Sequence, residues 1–377
     1  MLLGLGGAAV GVLSACGVGS STPAGPPPPT PAAPGACSPS VTLDGFSDVL
    51  DKTTFGDTYV GNLSALATAP GPTAPDPTAT GPTATDAAGP SVLALSDRSA
   101  LFTLDADTVR PTAVVALHDE RGDPLDSEGL AVEPDGTLLI SSEVEPSIRR
   151  YRRDGTLLGR LPVDPRLLVV PAGRATRNLT FEGLTLRPGG TGLVASMEGA
   201  LTGDQGNVVR LQTWTRDGGD YGTPVGGDFR LGPQYGYVVD PASGVSEITA
   251  TVDGRLLVLE RGYLPGFGNT IRLYLADPRH ASDTTAVDRL TTGPGPDSTV
   301  HMVGKTLLAD IGRCPSMGAT TRQPEPNPLL DNIEGMTAVS RDPNGGMHLL
   351  LVSDDNQNPT QTTRLYRLTV RLPRSSR

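Results

Sequence analysis

The stretch that decides the fold is Asp126-Ser127-Glu128-Gly129-Leu130-Ala131, because versions of it recur along the chain. Four similar segments have Ser64, Glu182, Glu247 and Glu334 at the same third position. The intervals between successive third positions are 64, 54, 65 and 87 residues. Repeats of this length indicate an array in which each supersecondary unit buries its apolar face against its neighbours.

Each repeat continues as a predicted hairpin. Four repeats carry a two-residue turn signal before a second apolar run: Asp135-Gly136, Gly189-Gly190, Asp253-Gly254 and Asn344-Gly345. In the first repeat a Pro/Thr-rich insertion, residues 69–90, replaces the turn, and its composition predicts disorder. Third and fourth apolar runs follow in most repeats, which gives four antiparallel strands per unit.

We therefore predict an all-β chain that folds as a β-propeller with five recognisable four-stranded repeats. Residues 42–59 would supply the outer strand of the last blade and close the ring. The 87-residue interval leaves a degenerate sixth blade as the alternative. Glycine and proline make up 83 of the 377 residues, which argues against a helical bundle because both weaken helix interiors.

If the turns are symmetric, the hairpins place acidic side chains opposite one another, with Cβ atoms about 5 Å apart. The predicted pairs are Glu128 with Glu143, Glu247 with Glu260, and Glu334 with Asp355. Glu182 reaches Glu198 if its loop is one residue longer, and Ser64 and Asp97 occupy these places in the first repeat. Equivalent positions of radially arranged blades converge on the central channel.

Two like charges about 6 Å apart repel by roughly 3 kcal/mol at an effective dielectric constant of 20. Such a ring needs protons, arginine partners such as Arg261, or a bound cation. Hard oxygen ligands favour Ca²⁺ or Mg²⁺. The predicted ligands are Glu128, Glu182, Glu247, Glu334 and Asp354, the last from the Asp354-Asp355-Asn356 cluster. The alternative is that each acid is structural and caps backbone amides. Glycines after three of the glutamates, such as Gly183, would let neighbouring backbones approach closely, and a β-bulge at strand entry is the alternative.

Several of these segments resemble a known family of propellers, the phytase-like family described as "esterase-like activity of phytase". The resemblance lies in residues 127–143, 181–199, 246–262, 331–340 and 349–366, and with 62–67 and 93–99 it spans about residues 60–370. It implies a relative of calcium-dependent phytases that hydrolyses phosphate or other esters with Ca²⁺. It carries the family's functional positions onto Glu128, Glu182, Glu247, Glu260, Glu334, Asp354 and Asp355. The chain departs from the pattern at Ser64 and in the long insertion.

Two functions follow as expectations. In the first, the protein is a calcium-dependent hydrolase of a small anionic or ester substrate, in which Glu260 or Asp355 acts as general base. Arg98 and Arg261 would bind the substrate. In the second, the protein is a non-catalytic binding or scaffold propeller of the cell envelope, and the cation serves stability alone.

The charge balance limits the partners. The chain has 30 basic and 41 acidic residues, a net charge of −11, and 4% aromatic residues. Without a basic surface or stacking aromatics, nucleic acid is a poor partner. Only Lys52 and Lys305 are lysines, which is few for a protein that binds a polyphosphate. We expect a monomer.

The first residues predict export. Residues 1–15 are apolar and uncharged, too short to span a membrane, and are typical of a signal peptide. Leu13-Ser14-Ala15-Cys16 resembles a bacterial lipobox, which implies that Cys16 is lipidated; an ordinary secretory signal with a chance cysteine is the alternative. Residues 16–36 form a Pro-rich tether of about 60 Å, and 37–377 form the propeller domain. The predicted location is extracytoplasmic, with the membrane contacted through the lipid anchor only.

Two further cysteines, Cys37 and Cys314, are separated by 277 residues. Outside the cytoplasm such a pair persists as a disulfide, which would tie the start of the propeller to a late loop. The alternative is two unpaired thiols.

Overall fold

The computed structural model describes residues 34–69, 91–217, 228–293, 299–343 and 345–373. Within these ranges the regular structure is β-strand apart from three short 3₁₀ turns, Pro165–Leu167, Pro278–His280 and Ile311–Arg313. The predicted signal peptide, the lipidation site Cys16, the tether up to residue 33 and insertion residues 70–90 lie outside the described residues.

Five four-stranded antiparallel sheets form the blades of a propeller, which confirms the predicted fold class. Blade 1 contains β4 (Leu63–Ala69), β5 (Ser91–Ser96), β6 (Ala100–Asp105) and β7 (Pro111–Ala116). Blade 2 contains β8 (Ser127–Val132), β9 (Leu138–Ser142), β10 (Ser147–Tyr151) and β11 (Leu157–Arg160). Blade 3 contains β12 (Phe181–Leu186), β13 (Gly192–Met197), β14 (Val208–Thr215) and β15 (Arg230–Val238).

The remaining blades and the ring closure follow the same plan. Blade 4 contains β16 (Gly244–Ala250), β17 (Leu256–Leu264), β18 (Gly268–Asp277) and β19 (Gly304–Asp310). Blade 5 contains β20 (Asn332–Arg341), β21 (Gly346–Asp354), β22 (Leu365–Arg371) and β1 (Val41–Ser47). Because β1 comes from the other end of the domain, its pairing with β22 closes the ring, as predicted. A separate hairpin joins β2 (Thr53–Phe55) to β3 (Thr58–Val60).

The first strand of each blade is the innermost one, since β4, β8, β12, β16 and β20 contact one another in sequence around the ring. The interval between Glu247 and Glu334 adds no sixth blade among the residues described there. Its length comes from the other strands of blade 4 and from the segments before and after β19.

Strand alternation explains how the blades pack. In β21, Leu349 and Leu351 face the cluster shared with blade 4, whereas Leu350 and Val352 face the cluster shared with blade 1. Five such apolar clusters fill the five interfaces between neighbouring blades. Each fully buried Leu or Val contributes roughly 1.5–3 kcal/mol, so the ring is held by its interfaces and the channel needs no apolar lining.

A disulfide joins Cys37 to Cys314, which confirms the predicted bridge. It connects the segment before β1 to the segment after β19. In the part of the chain that the structure describes, we find no helix with the length and apolar character needed to cross a membrane.

Candidate functional site

A β-bulge interrupts the pairing of the first and second strands in every blade. In blades 1, 4 and 5 the extra residue is Ser64, Ser246 and Glu334, respectively. In blades 2 and 3 the shift covers Glu128-Gly129 and Glu182-Gly183. A bulge bends the strand and re-aims the side chain of the extra residue. The recurring Glu-Gly motif is therefore the sequence form of this bulge.

The bulge also brings neighbouring blades close together. A Cβ atom on Gly183 would lie 2.5 Å from the backbone nitrogen of Ile248 in blade 4, and one on Gly335 would lie 3.0 Å from Cα of Ala65 in blade 1. Only glycine permits this approach, as expected from the sequence. The inner strands thus converge closely at this end of the channel.

The predicted pairing of acids within the hairpins is wrong. In blade 2 the N–H of Glu143 donates to the backbone oxygen of Asp126 at 2.9 Å, so Glu128 has no direct opposite. In blade 4 Glu260 pairs with Val245 instead of Glu247. In blade 5 Asp354 pairs with Asn332, so Asp355 does not face Glu334.

Two irregularities cause the error. The Asp135-Gly136 turn is a three-residue loop, because the N–H of Glu133 donates to the oxygen of Thr137 and Gly136 has φ of 87°. The bulge then consumes a second residue of the first strand. A prediction that assumes a symmetric two-residue turn includes neither the extra loop residue nor the extra residue of the bulge.

The observed register defines two equivalent places in each blade. The bulge position holds Ser64, Glu128, Glu182, Ser246 and Glu334 in blades 1 to 5. The second position lies on the second strand, and we call it the second-strand position. It pairs with the residue two places before the bulge position. In blades 1 to 5 it holds Asp97, Glu143, Glu198, Arg261 and Asp354. Blade 4 is the exception at both places: it has serine and arginine where blades 2, 3 and 5 have two acids.

A cavity of about 520 Å³ opens where these positions converge, and we call it the acid cavity. Its charged lining consists of eight carboxylates and one guanidinium: Asp97, Asp126, Glu128, Glu143, Glu182, Glu198, Glu334, Asp354 and Arg261. If all were ionised, eight negative charges and one positive charge would leave −7. Glu128, Glu182 and Glu143 are only 6–8% exposed, so water screens little of this charge.

Burial and the crowding of negative charge raise the pKa values of the acids that line the acid cavity. Burial, then the charges of Glu334 and Glu143, raise the pKa of Glu128 well above its usual value. Burial raises the pKa of Glu143 to about 7, although the Thr180 N–H donates to its carboxylate at 3.1 Å. Burial also raises the pKa of Asp97 to about 6. Without a counter-charge, these acids retain protons into the neutral range.

Arg261 supplies the single positive charge of the acid cavity lining. Its Nη1 donates to Asn332 Oδ1 at 2.8 Å, and its Nη2 donates to Glu198 Oε1 at 3.0 Å and lies 3.5 Å from Glu334 Oε1. Burial raises the pKa values of Glu198 and Glu334, and this guanidinium opposes the rise. Asp97 of blade 1 lies 3.4 Å from the exposed guanidinium of Arg98, whereas no ion pair among the described residues reaches Glu128 or Glu143 of blade 2.

Two groups of carboxylates have the spacing of a cation site. They are Asp126, Glu128 and Glu143, and Glu143, Glu182 and Glu198, and within each group one oxygen per residue lies within 4.8 Å of the others. Ca²⁺–oxygen bonds are about 2.3–2.6 Å long. Two ligand oxygens on opposite sides of one ion therefore lie about 4.6–5.2 Å apart, which is close to the observed spacing. The Oγ of Ser64 is 2% exposed, lines the same cavity and lies within hydrogen-bonding reach of the Glu128 and Glu334 carboxylates. A hard cation fits this donor set.

Two of the predicted site residues lie elsewhere because they saturate structural contacts. Glu247 is 1% exposed and accepts from the N–H groups of Leu184 (3.1 Å) and Ile248 (2.8 Å), which ties blade 3 to blade 4. Glu260 accepts from Tyr237 Oη at 2.6 Å and Lys305 Nζ at 2.5 Å. Neither residue lines the acid cavity.

Asp355 and Arg98 are also outside the acid cavity lining. Asp355 accepts from Lys52 Nζ at 2.5 Å, from Tyr59 Oη and from the Asn62 N–H at 3.1 Å. Burial alone would raise the pKa of Asp355, but these donors, Lys52 foremost, lower it. Arg98 lies beside Asp97 at 3.4 Å with its side chain 66% exposed.

Of the predicted site residues, Glu128, Glu182, Glu334, Asp354 and Arg261 line the acid cavity, their roles stay predictions, and the structure adds further lining residues. Asp97, Glu143 and Glu198 had entered only as partners in the hairpins, and Asp126 was missed. The sequence signal for these residues was the acid at the end of each second apolar run. Finding it requires that the strand pairing be shifted by one residue to account for the Glu-Gly bulge.

The family model "Phytase-like: esterase-like activity of phytase" matches residues 81–357. Among solved structures, a gluconolactonase from Xanthomonas campestris is 14% identical, with 74% of this chain and 69% of that chain covered and a TM-score of 0.36. A protein of unknown function from Bacteroides caccae is 10% identical over 71% and 68% of the chains, with a TM-score of 0.32. The RRP9 WD40 repeats are 9% identical over 89% and 98%, with a TM-score of 0.38. No curated protein sequence matches the chain significantly.

Proposed function

We propose, from the premise that this chain belongs to the phytase-like family, that it is a cation-dependent hydrolase of phosphate or other esters. The observation that carries the proposal is the acid cavity, in which eight carboxylates meet a single guanidinium. Such crowding is costly for a purely structural channel, whereas it suits a site that gains a divalent cation. The family name supports the reaction class, and the donor set supports Ca²⁺.

The chain's own groups divide into three roles. Asp126, Glu128, Glu143, Glu182 and Glu198 would hold the cation, with Glu143 common to both groups of ligands. When bound, Ca²⁺ would polarise a phosphoryl or carbonyl oxygen and acidify a water molecule. Arg261, which donates to Asn332 and Glu198, would contact the anionic end of the substrate.

Proton transfer falls to the lining carboxylates outside those two groups of ligands. Asp354 is the best placed, because it lines the acid cavity and the N–H of Asn356 fixes its Oδ1 at 2.7 Å. It would accept a proton from the attacking water. The water oxygen then bonds to phosphorus or to the carbonyl carbon, the bond to the alcohol oxygen breaks, and the alcohol leaves with the proton that Asp354 returns.

The test is an activity screen of the purified propeller on phosphomonoesters, phosphodiesters and carboxylic esters, with Ca²⁺ and with chelator. We expect hydrolysis of at least one class in Ca²⁺ and its loss in chelator. Glu143→Gln should abolish the Ca²⁺-dependent turnover, because Glu143 belongs to both groups of ligands. Glu145→Gln, an exposed acid nearby, is the matched control and should keep it.

A non-catalytic envelope propeller is the second candidate, favoured by the compensation of Glu198 and Glu334 by Arg261. In that case Ca²⁺ would raise the thermal midpoint while no ester is hydrolysed in either condition. Turnover without any dependence on Ca²⁺ would contradict the cation in both candidates.

We also propose an extracytoplasmic, lipid-anchored location. The Cys37–Cys314 disulfide supports an oxidising compartment, and the lipobox-like stretch before Cys16 supports the anchor. Metabolic labelling with a fatty acid should mark the full chain and fail with Cys16→Ser. A labelled Cys16→Ser chain would overturn the anchor.

A further inference from the structure

A second cavity of about 510 Å³ lies beside the acid cavity, between the loops of blades 3 and 4. Four residues line both cavities: Leu179, Glu198, Arg261 and Tyr263. The two cavities therefore border on the same Glu198–Arg261 ion pair. Both volumes fall within the usual range of ligand pockets, about 300–1,000 Å³.

The second cavity carries no uncompensated charge, unlike the acid cavity. Its charged lining residues are Glu198, Arg261 and Asp204. Glu198 and Arg261 neutralise each other at 3.0 Å. Asp204 accepts from Arg210 Nε at 2.7 Å and lies 3.3 Å from Arg174 Nη2, with its side chain fully buried. An uncharged group suits such a wall, since a charged one would lose hydration without gaining a partner.

The junction between the cavities is apolar and aromatic on one side. Tyr263 is 56% exposed although it lies on the β17–β18 hairpin, and Leu179 is 38% exposed. A side chain with this much free surface at a cavity mouth offers a flat face against which a ring can stack. Five of the other lining residues are glycines, which add no side chain to the wall. A Cβ on Gly244 would lie only 2.9 Å from Cγ of Glu198, so glycine lets that side chain lie against β16.

We propose that the second cavity binds the uncharged, ring-bearing alcohol portion of the ester whose acid portion lies in the acid cavity. This inference rests on the proposed function, because it assigns the other half of the same substrate. It also argues against polyphosphates as substrates, since Arg261 is the only cationic side chain among the described residues that line the two cavities.

The experiment compares two esters that differ only in the alcohol: ethyl and benzyl phosphate, with ethyl and benzyl acetate as a parallel pair. Gly206→Trp should fill the second cavity, since a Cβ there meets nothing within 4 Å and Gly206 does not have a left-handed φ. We expect kcat/KM for the benzyl ester to fall about tenfold and that for the ethyl ester to change less than about twofold. Gly304→Trp, equally open but outside both cavities, is the control.

A second pair of variants tests the stacking face. Tyr263→Ala should lower kcat/KM for the benzyl ester by about fivefold. Phe267→Ala removes another exposed aromatic ring close to the same hairpin, does not line either cavity, and should have no effect. Equal losses on ethyl and benzyl esters, or equal losses in both variants, would overturn the assignment of the second cavity.

A binding measurement separates this inference from the hydrolase proposal. Saturation-transfer NMR with benzyl alcohol should give a signal with the unsubstituted propeller and none with Gly206→Trp. Absence of the signal with the unsubstituted protein would refute the second cavity even if esters are hydrolysed. A signal without hydrolysis of any ester would refute the hydrolase and leave a ring-binding cavity.

Discussion

Blade 4 and blade 2 share one backbone plan and differ in the charge that they bring to the channel. Blade 2 supplies Asp126, Glu128 and Glu143, three carboxylates that form one of the two groups with cation-site spacing. Blade 4 supplies Ser246 at its bulge position and Arg261 at its second-strand position. A symmetric ring of acids would repel a negatively charged substrate from every side. The substitution in blade 4 gives the acid cavity a positive side and a direction.

Blades 2 and 4 also differ in how far their second strands continue beyond the channel. In blade 4 the β17–β18 hairpin continues past Arg261 to Tyr263 and Leu264, whereas β9 of blade 2 ends at Ser142. The same blade thus provides the only cation of the acid cavity lining and one wall of the second cavity. One deviating repeat is enough to turn a symmetric channel into a site with distinguishable ends.

Removing the positive side of blade 4 should have the largest effect on stability. Arg261→Met leaves Glu198 and Glu334 buried without their cation, and breaking such a pair costs about 3–5 kcal/mol. We expect this loss in urea unfolding at pH 8 in chelator, with partial recovery in millimolar Ca²⁺. Arg279→Met, which breaks an exposed pair with Asp277, should cost far less than Arg261→Met. Equal costs for the two variants would mean that the acids do not depend on Arg261.

The acids of blade 2 should make stability depend on pH in the opposite sense to ordinary surface carboxylates. The pKa of Glu143 is about 7 in the folded protein and 4.5 as its ordinary value. Between these limits the folded protein keeps a proton that the unfolded chain has lost. In chelator, the stability that Glu143 contributes should therefore fall by about 3 kcal/mol as pH rises from 4.5 to 7, and this contribution then levels off.

Thermal midpoints measured from pH 4.5 to 8 in chelator would check this dependence, and Glu143→Gln should make the fall with pH smaller. Asp97, with a pKa of about 6 against an ordinary 3.8, adds a smaller change in the same direction. Saturating Ca²⁺ should reverse the trend above pH 7, because the cation replaces the protons. A midpoint that rises with pH in chelator would contradict the crowding of the acid cavity.

The sequence could predict the propeller because both of its signals are local. The Glu-Gly segments and the Gly-containing turns recur in each repeat, and the alternation in runs such as residues 349–352 is visible without any long-range information. The disulfide was predictable because only two cysteines fall within the propeller domain. The membership of Glu128, Glu182 and Glu334 in one site followed from their equivalent places in the repeat.

The misplaced residues share one physical cause, which is register. A β-bulge and a three-residue loop leave no separate mark in the composition, yet together they exchange Glu260 for Arg261 and Asp355 for Asp354 in the channel. Blade 4 was the most misleading because its bulge lies at Ser246, one residue before the glutamate that matches the repeat. Side chains shifted by one position in a strand face a different neighbour.

Glu182 and Glu247 occupy matching positions in the sequence repeat but lie in different parts of the structure. Their comparison involves the smallest expected change in stability. Glu182 lines the acid cavity, so Glu182→Gln should weaken Ca²⁺ binding at least about tenfold and abolish the rise in thermal midpoint. Burial raises the pKa of Glu247 well above its usual value, which keeps it neutral, and its oxygen accepts from Leu184 and Ile248. Glutamine preserves that acceptor, so Glu247→Gln should change stability by less than about 1 kcal/mol and leave the Ca²⁺ titration unchanged. Calorimetry could instead show that Glu247→Gln alone removes Ca²⁺ binding. The ligand would then be given by the position in the sequence repeat, and the position of the β-bulge would not predict it.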